Sequence, residues 1–582
     1  MSETPPSLWK RPWNSPARVL AWFALLVGAT FPVLCGIALL TGQHTRSPGW
    51  VLTALLASVV LSVVVAALFF FLRWLWSWKN LLRFLFVILC LITIVALFYA
   101  EENWRGKHAW QTYRAQLEAK GEKFSLAALA PPPVPDDRNL ALAPLLRPAT
   151  DFTQGANGVV WHDTNGLARL ESISTQLFPG RFTNDHLVLG SLEKGTFADL
   201  PACAAFYRGN TNYPQAPADA SPAETILVAL GRFAPEFQQL REAAAARPDC
   251  RFPTHYDVEP PWSILLPHLA RMKALTTFTH VRAVAELQAG RSADAFDDLK
   301  LGLRFSDSLK GEPLLISHLV RIATLTINLQ TLREGLLRHA WTDPQLAELA
   351  THLASEDLLT DYELAMRGER ALETGGVEFL GRQGFRTNPF DYLGSDDESP
   401  GPPFCGNAFP SGWFYQNMLT MARAFEDFAL PVVDARNHRV FPDVGEKGTR
   451  AVNQMRTGPY TIIAKMLLPA LGKAVSRSAQ IQTYVDAGHV ASALERFRLA
   501  GGKLPDALTT LTPALLAKVP ADVIDGKPLR YRLRDEGGYL LYSLGWNQTD
   551  DGGQLAWTEH GKEKPSVDVI KGDWVWSMPG SR

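Results

Sequence analysis

The chain has 582 residues, with 57 basic and 58 acidic side chains and a net charge of −1. This balance excludes the basic surface that nucleic-acid binding needs, so no nucleic-acid partner is expected. Hydrophobic residues make up 47% and charged residues 20%, which excludes a disordered chain and is typical of a folded one.

Three uncharged apolar stretches occupy the first hundred residues, at 19–43, 47–72 and 84–100. A helix of roughly 20 apolar residues crosses a bilayer core, and about 17 is the lower limit. A cleaved signal peptide is excluded because its apolar region has only about 7–15 residues. A buried core helix is the alternative, but these stretches are apolar on every face. The sequence therefore predicts a three-helix membrane anchor over residues 17–100.

The basic residues that flank the spans predict their orientation. They cluster in the N-terminal tail and in the loop between the second and third spans: Lys10, Arg11, Arg18, Arg73, Lys79 and Arg83. The loop between the first two spans has only Arg46 and His44. Because Lys and Arg are enriched on the cytoplasmic side, the 1–16 tail is predicted to be cytoplasmic. With three spans, everything after residue 100 lies outside the cytoplasmic (inner) membrane of a bacterium.

The spans themselves favour an anchor over a transporter. They contain no Asp, Glu, Lys or Arg. Transporters and channels usually keep such ionisable residues within the membrane, where they line the pathway. The lipid bilayer is therefore the first expected partner of this chain.

Changes in composition divide the rest of the chain into five segments. Residues 101–137 read as a juxtamembrane helix and a Pro-rich spacer, and 138–260 as a mixed region of unspecified fold. Residues 261–385 are predicted to form a helical domain. A Gly/Pro-rich loop and a helix follow at 386–459, and an α+β domain at 460–582.

The helical domain carries clear helix boundary signals. Helices are expected at Ser263–Ala289, at Ala293–Leu309, from after Gly311–Pro313 to near His339, after Thr342, and at Asp357–Thr374. Ser292 is expected to cap the second helix, and Thr342 to form a capping box with Gln345. The Ala283–Ser308 segment resembles a tetratricopeptide-type helical hairpin, with a generic helix pair as the alternative.

The last segment predicts a long helix packed on a small sheet. The helix runs from about Tyr460 to Leu499. Alternating apolar residues then predict one strand around Tyr531 and Leu533 and another over Tyr539–Leu544. The turn between them contains Gly537 and Gly538, so the two strands are expected to pair antiparallel.

At these residues the chain resembles the globular half of type II secretion pseudopilins of the major, G-type class. The shared elements, in order, are Ala493–Pro505, Asp522–Tyr531, Leu541–Gly553 and Asp568–Ile570 with Trp574. Pseudopilins have one N-terminal span with a Glu near its start, whereas this chain has three spans and no Glu in the first. Processing or polymerisation as a pilin is therefore not expected. The whole chain also resembles large multi-span membrane proteins of planctomycetes and verrucomicrobia that carry similar tails.

The pseudopilin resemblance implies a calcium site, because that family binds a calcium ion in its last loop. The matching residues here are Asn547, Thr549, Asp550, Asp551 and the downstream Asp568. Oxygen side chains at alternate positions before a glycine can converge on one hard cation. An Asp/Gly turn without an ion is the alternative, and no other cofactor is expected.

Three cysteines lie after the anchor: Cys203, Cys250 and Cys405. An odd number permits at most one internal disulfide. A Cys203–Cys250 bridge is one interpretation in an oxidising compartment, and three separate buried thiols are the other.

No catalytic residue is predicted. The sequence lacks an HExxH motif, a Cys-x-x-Cys pair, a Gly-x-Ser-x-Gly elbow and a phosphate-binding Walker loop. One charged helix pairs Glu363 with Arg367 and brings Glu369 and Glu373 onto the same face. Paired carboxylates serve glycoside hydrolysis, and the alternative is a solvated or ion-paired helix face.

The sequence thus predicts a membrane protein with three N-terminal transmembrane helices, a mainly α-helical extracytoplasmic body and a small pseudopilin-like α+β module. The expected function is that of a non-catalytic envelope scaffold or protein-interaction protein, with other envelope proteins as partners. The first alternative is an accessory component of a type II secretion or pilus-like system. The second alternative is an extracytoplasmic hydrolase that uses carboxylates.

Overall fold

The chain is mostly helical, with a few small antiparallel sheets. The computed structural model describes residues 16–40, 50–155, 158–177, 189–383, 409–468, 472–534, 537–558 and 566–580. Two compact units are present, residues 1–101 and 102–582.

Three long apolar helices open the chain: α1 (Pro16–Leu40), α2 (Trp50–Leu75) and α3 (Trp78–Glu118). Each is long and apolar enough to cross a membrane. A helix suits this task because it satisfies its own backbone hydrogen bonds where no water is present. The three apolar helices predicted from the sequence are confirmed.

Small residues bring α1 and α2 together. Ala54, Ser58 and Ser62 follow one another at intervals of one turn on α2, and all three are buried. The Thr30 hydroxyl of α1 lies 3.2 Å from the Ser62 hydroxyl. Small side chains let two helix backbones approach closely within a membrane, where packing drives association.

Residues 138–260, whose fold the sequence did not specify, form short helices and one hairpin. In chain order the elements from residue 126 are α4 (Leu126–Leu129), β1 (Phe152–Gly155), β2 (Gly158–Trp161), α5 (Thr164–Leu177), α6 (Leu200–Arg208), α7 (Pro222–Leu230) and α8 (Ala234–Ala246). The sequence specifies the start of α7 locally, since Ser221 and Glu224 form a capping box. The Phe237 ring of α8 stacks on Phe278 of the following helix, with ring centroids 3.9 Å apart.

The predicted helical domain forms five helices. They are α9 (Pro267–Gln288), α10 (Ser292–Asp307), α11 (Leu315–Leu337), α12 (Asp343–Ala354) and α13 (Leu358–Gln383). The capping box at the start of α12 is confirmed, with the Thr342 N–H donating to Oε1 of Gln345 at 2.9 Å. The predicted Ser292 cap is wrong. Ser292 is the first helical residue of α10, and its hydroxyl donates to the Ala340 carbonyl oxygen instead.

The first part of the predicted Gly/Pro-rich loop, residues 386–408, lies outside the described residues. The next elements are α14 (Ser411–Ala424), the two-residue strands β3 (Val433–Asp434) and β4 (Arg439–Val440), α15 (Pro442–Gln454), α16 (Ile462–Leu467) and α17 (Gly472–Gly501). Two helices, α16 and α17, lie in the described part of the segment from Tyr460 to Leu499, for which the sequence predicted a single helix.

The tail packs α17 against small antiparallel sheets. The strands are β5 (Arg530–Leu533), β6 (Tyr539–Ser543), β7 (Leu555–Trp557), β8 (Val567–Gly572) and β9 (Trp574–Met578). Strands β5, β6 and β9 form one sheet in that order, and β7 pairs with β8. The predicted β5–β6 pair is confirmed, with Tyr531 opposite Leu541. The sequence did not predict β9, which puts Trp574 and Trp576 into the core.

The largest hydrophobic core among the described residues of the second unit contains Trp110 of α3, apolar residues of α10–α14, the buried apolar residues of α17 and Met578 of β9. A separate apolar cluster contains Phe237 and Phe278. A polar contact also joins the helical body to the tail, because Arg333 of α11 donates to the carbonyl oxygen of Ser577 at 3.0 Å. The helical body and the tail therefore share a core.

Candidate functional site

Three side chains from the C-terminal ends of α10 and α12 come together. Asp307 is the last residue of α10, and His352 lies in the last turn of α12. Glu356 lies in the short link from α12 to α13. The link ends at Asp357, whose carboxylate caps the start of α13 by accepting the N–H of Thr360. These three side chains are called the Asp–His–Glu cluster below.

The ligand atoms of the Asp–His–Glu cluster are close enough to share one bound species. Nε2 of His352 lies 3.8 Å from Oδ2 of Asp307 and 3.6 Å from Oε1 of Glu356. All three atoms lie within 4.8 Å of one another. Both His352 distances are too long for hydrogen bonds, and the buried Nε2 atom has no hydrogen-bond partner. In the described part of the chain, no other three His, Cys, Asp or Glu side chains meet this distance.

A buried arginine orients the cluster. Arg321 of α11 has a side chain only 1% exposed, and it donates to Oε2 of Glu356 and to Oδ2 of Asp361. Burial opposes the charge of Arg321, but the Asp361 and Glu356 carboxylates together raise its pKa above the ordinary value. Because Arg321 holds Oε2 of Glu356, the other oxygen of that carboxylate faces His352.

The two carboxyl groups of the cluster differ in their tendency to ionise. Burial raises the pKa of Asp307, and the nearby Glu356 carboxylate raises it further. Burial also opposes ionisation of Glu356, but Arg321 and Lys310 lower its pKa below the ordinary value. Glu356 is therefore the ionised member of the pair, and Asp307 is the member that protonates more readily.

The cluster lines a cavity of about 410 Å³. Pro131 and Val134 of the Pro-rich spacer form part of its wall. Arg304 and Lys310 bring positive charge to the same cavity. A cavity in which a few charged groups of both signs converge is suited to bind a small polar ligand.

Cys250 also lines this cavity, and it is not joined to Cys203. Burial raises the pKa of the Cys250 thiol to about 12, so the thiol stays protonated at neutral pH. Cys203 is 1% exposed within a separate apolar cluster. Cys405 lies outside the described residues.

The charged face of α13 is half-buried, and part of it is ion-paired. Arg367 donates to Glu363 at 3.2 Å, as the spacing predicts. Burial raises the pKa of Glu373 well above its ordinary value, and the neighbouring Glu369 raises it further. Oε2 of Glu373 has no hydrogen-bond partner. Arg370 does not neutralise Glu369 or Glu373. Its fully buried guanidinium donates to the carboxylates of Glu122 and Glu426 instead.

The residues predicted to bind calcium do not all converge. Asn547 donates to Asp551 at 2.9 Å, and the Asp550 carboxylate accepts the N–H of Gly552. Asp568 lies on β8, where its carboxylate accepts the backbone N–H two residues on. The Thr549 hydroxyl donates to the Asn547 carbonyl oxygen. Because Asp550, Asp551 and Asp568 do not meet within 4.8 Å, a calcium ion here would need further oxygen ligands.

The sequence did not predict the Asp–His–Glu cluster. Its only local signal is the four-residue spacing from His352 to Glu356, which puts two side chains on one side of a helix end. Asp307 comes from a different helix, and no motif in the sequence links it to the other two. The missing information is the packing of α10 on α11 and of α12 on α17.

Comparison of the chain with protein-family models, with curated proteins and with solved structures finds no match.

Replacing Arg321 by methionine should lower the free energy of unfolding by about 3–5 kcal/mol. The reason is that Glu356 and Asp361 would remain buried with their positive partner removed. Denaturant unfolding of the full chain in detergent, followed by circular dichroism, measures this change.

The matched control is Arg450→Met. Arg450 lies 3.7 Å from Glu446, and both side chains are more than half exposed. Exposed ion pairs contribute about 0–1 kcal/mol, so this variant should unfold like the wild type. An Arg321→Met protein as stable as Arg450→Met would contradict the role of Arg321 as the charge partner of the cluster.

Glu373→Gln should raise stability at pH 8 and change it little at pH 4. The pKa of Glu373 is higher in the folded chain than in the unfolded chain, so the folded chain keeps the Glu373 proton to a higher pH. Stability from the neutral carboxyl group is therefore full below the unfolded pKa of 4.5 and is lost as pH rises toward the folded pKa. Glutamine is neutral at every pH, so the variant does not lose this stability as the pH rises. Thermal unfolding of both proteins between pH 4 and pH 8 measures the difference.

The Glu348→Gln variant serves as the control for this pH series. The Glu348 side chain is 59% exposed on α12. Its replacement should leave the pH dependence of the unfolding temperature unchanged. If Glu373→Gln follows the wild-type curve as closely as Glu348→Gln does, the Glu373 carboxyl group does not hold its proton as stated.

Proposed function

We propose that this chain is a membrane-anchored protein of the bacterial envelope that acts as a scaffold or interaction protein. Its N-terminus lies in the cytoplasm and residues after 100 lie outside the cytoplasmic membrane. The observation that carries the proposal is the set of three long apolar helices at the N-terminus, followed by one large compact unit. The basic residues flanking those helices support the orientation.

An exposed apolar surface on the tail supports a function through protein contact. Trp557 of β7 and Ile570 of β8 are 47% and 44% exposed. Ile570 also lines, with Val569, Leu319 and the start of α17, a depression of about 390 Å³. Exposed apolar side chains beside a depression are typical of surfaces that bind other proteins.

A second candidate function is that of an accessory component of a type II secretion or pilus-like system. The specific observation in its favour is the arrangement of the tail, where α17 packs against the β5–β6–β9 antiparallel sheet. This arrangement agrees with the resemblance of residues 493–582 to G-type pseudopilins. Three spans would hold such a module at the membrane, because each span adds a full apolar helix to be extracted.

Cysteine labelling tests the orientation. In a background without native cysteines, Lys120→Cys should react with a membrane-impermeant maleimide in cells whose outer layers admit the reagent. Ser77→Cys, in the link between α2 and α3, should react only after the inner membrane is opened. Both positions are exposed, so burial does not explain a difference. The opposite labelling pattern would contradict the proposed topology.

Photo-crosslinking tests the contact function. A photoreactive residue at Ile570 should give a discrete adduct in cells, and the adduct should contain secretion pseudopilins if the second candidate is right. Lys503, exposed after the end of α17, is the control position and should give none. Equal patterns at the two positions, or none at either, would count against a protein-binding surface on β7 and β8.

A further inference from the structure

We propose that the Asp–His–Glu cluster binds one divalent transition-metal ion of the zinc class, with Asp307, His352 and Glu356 as its protein ligands. This inference does not depend on the proposed function, because it rests only on the geometry of the helical body.

The spacing of the ligand atoms carries the proposal. Zinc binds imidazole nitrogen and carboxylate oxygen at about 2.0–2.2 Å, so two ligands of a tetrahedral ion lie about 3.4 Å apart. Nε2 of His352 lies 3.6 Å from Glu356 and 3.8 Å from Asp307. These separations are longer than hydrogen bonds and close to those around a tetrahedral ion. They explain why the buried Nε2 atom has no hydrogen-bond partner.

The charges around the cluster favour a cation. The cavity wall itself is balanced, with three acidic and three basic side chains, so this preference rests on the two carboxylate oxygens nearest Nε2 of His352. Arg321 is already engaged with Oε2 of Glu356 and with Asp361. The two cluster oxygens nearest His352 are thus left facing an imidazole that is neutral when it acts as a metal ligand.

The helix ends add to this preference. Asp307 terminates α10, and His352 lies in the last turn of α12. The C-terminal end of a helix carries partial negative charge on its free carbonyl groups, and it stabilises a nearby cation. The N-terminal end of α13 carries the opposite partial charge, but Asp357 caps its first N–H groups.

The ligand types select the metal class. Calcium and magnesium prefer shells made wholly of oxygen. A set of one imidazole and two carboxylates suits zinc and the neighbouring first-row ions. Three protein ligands leave a fourth position, which here faces the cavity of about 410 Å³. An open fourth position is the arrangement of zinc sites that hold a water molecule or a substrate atom.

Metal titration of the full chain in detergent tests this site. The tag-free protein is treated with a chelator, dialysed and titrated with zinc chloride in a calorimeter. One zinc ion per chain should bind, and His352→Ala should weaken the affinity by more than about tenfold. The matched control is His255→Ala, because His255 is exposed and lies apart from the cluster. It should bind zinc like the wild type.

Cobalt provides a second readout that does not depend on heat. Co²⁺ in the chelator-treated wild type should give the visible absorption bands of a tetrahedral ion, and zinc should abolish them. Asp307→Asn, which keeps the size of the side chain, should reduce these bands even if His352→Ala folds poorly. Wild-type protein that binds no zinc, or that binds it no better than a folded His352→Ala or Asp307→Asn protein, would overturn the proposal.

Discussion

The second unit of this protein depends on the burial of one long helix, α17. Between Ala474 and Glu495 almost every residue of α17 is buried, against α11, α12 and α13 on one side and the tail sheet on the other. Burial on every face also encloses polar side chains, and each of these needs a partner within the protein. Gln482 finds its partners in the α12–α13 link, where its side chain accepts the Leu358 N–H and donates to the Glu356 carbonyl oxygen.

The same contacts position the Asp–His–Glu cluster. Gln482 of α17 donates a hydrogen bond to the backbone carbonyl oxygen of Glu356 in the α12–α13 link. Arg321 of α11 donates to the carboxylate of the same residue. Glu356 is thus fixed from two helices that belong to the largest core of the molecule. A carboxylate fixed in this way loses little further freedom when it binds a ligand, which is the basis of preorganised sites. The cluster is therefore built on the rigid part of the body.

The three apolar helices and the body satisfy their polar groups in different ways. In the apolar helices the backbone pairs within each helix, and Ala54, Ser58 and Ser62 allow close packing of α1 and α2. In the body, charged groups are buried and must be neutralised locally, as Arg321 and Arg370 are by carboxylates. The protein thus combines three long apolar helices with a body whose interior contains paired charges.

The sequence by itself determined the elements whose causes are local. Three apolar stretches specify helices, the Thr342–Gln345 box starts α12, and the short apolar run at Tyr539–Ser543 specifies a strand, because each depends on residues a few positions apart. Only the tertiary structure decided that Asp307 meets His352 and Glu356. Their approach depends on how α10 packs on α11 and α12 packs on α17. Hydrophobic packing is non-directional, so it leaves no short motif in the sequence.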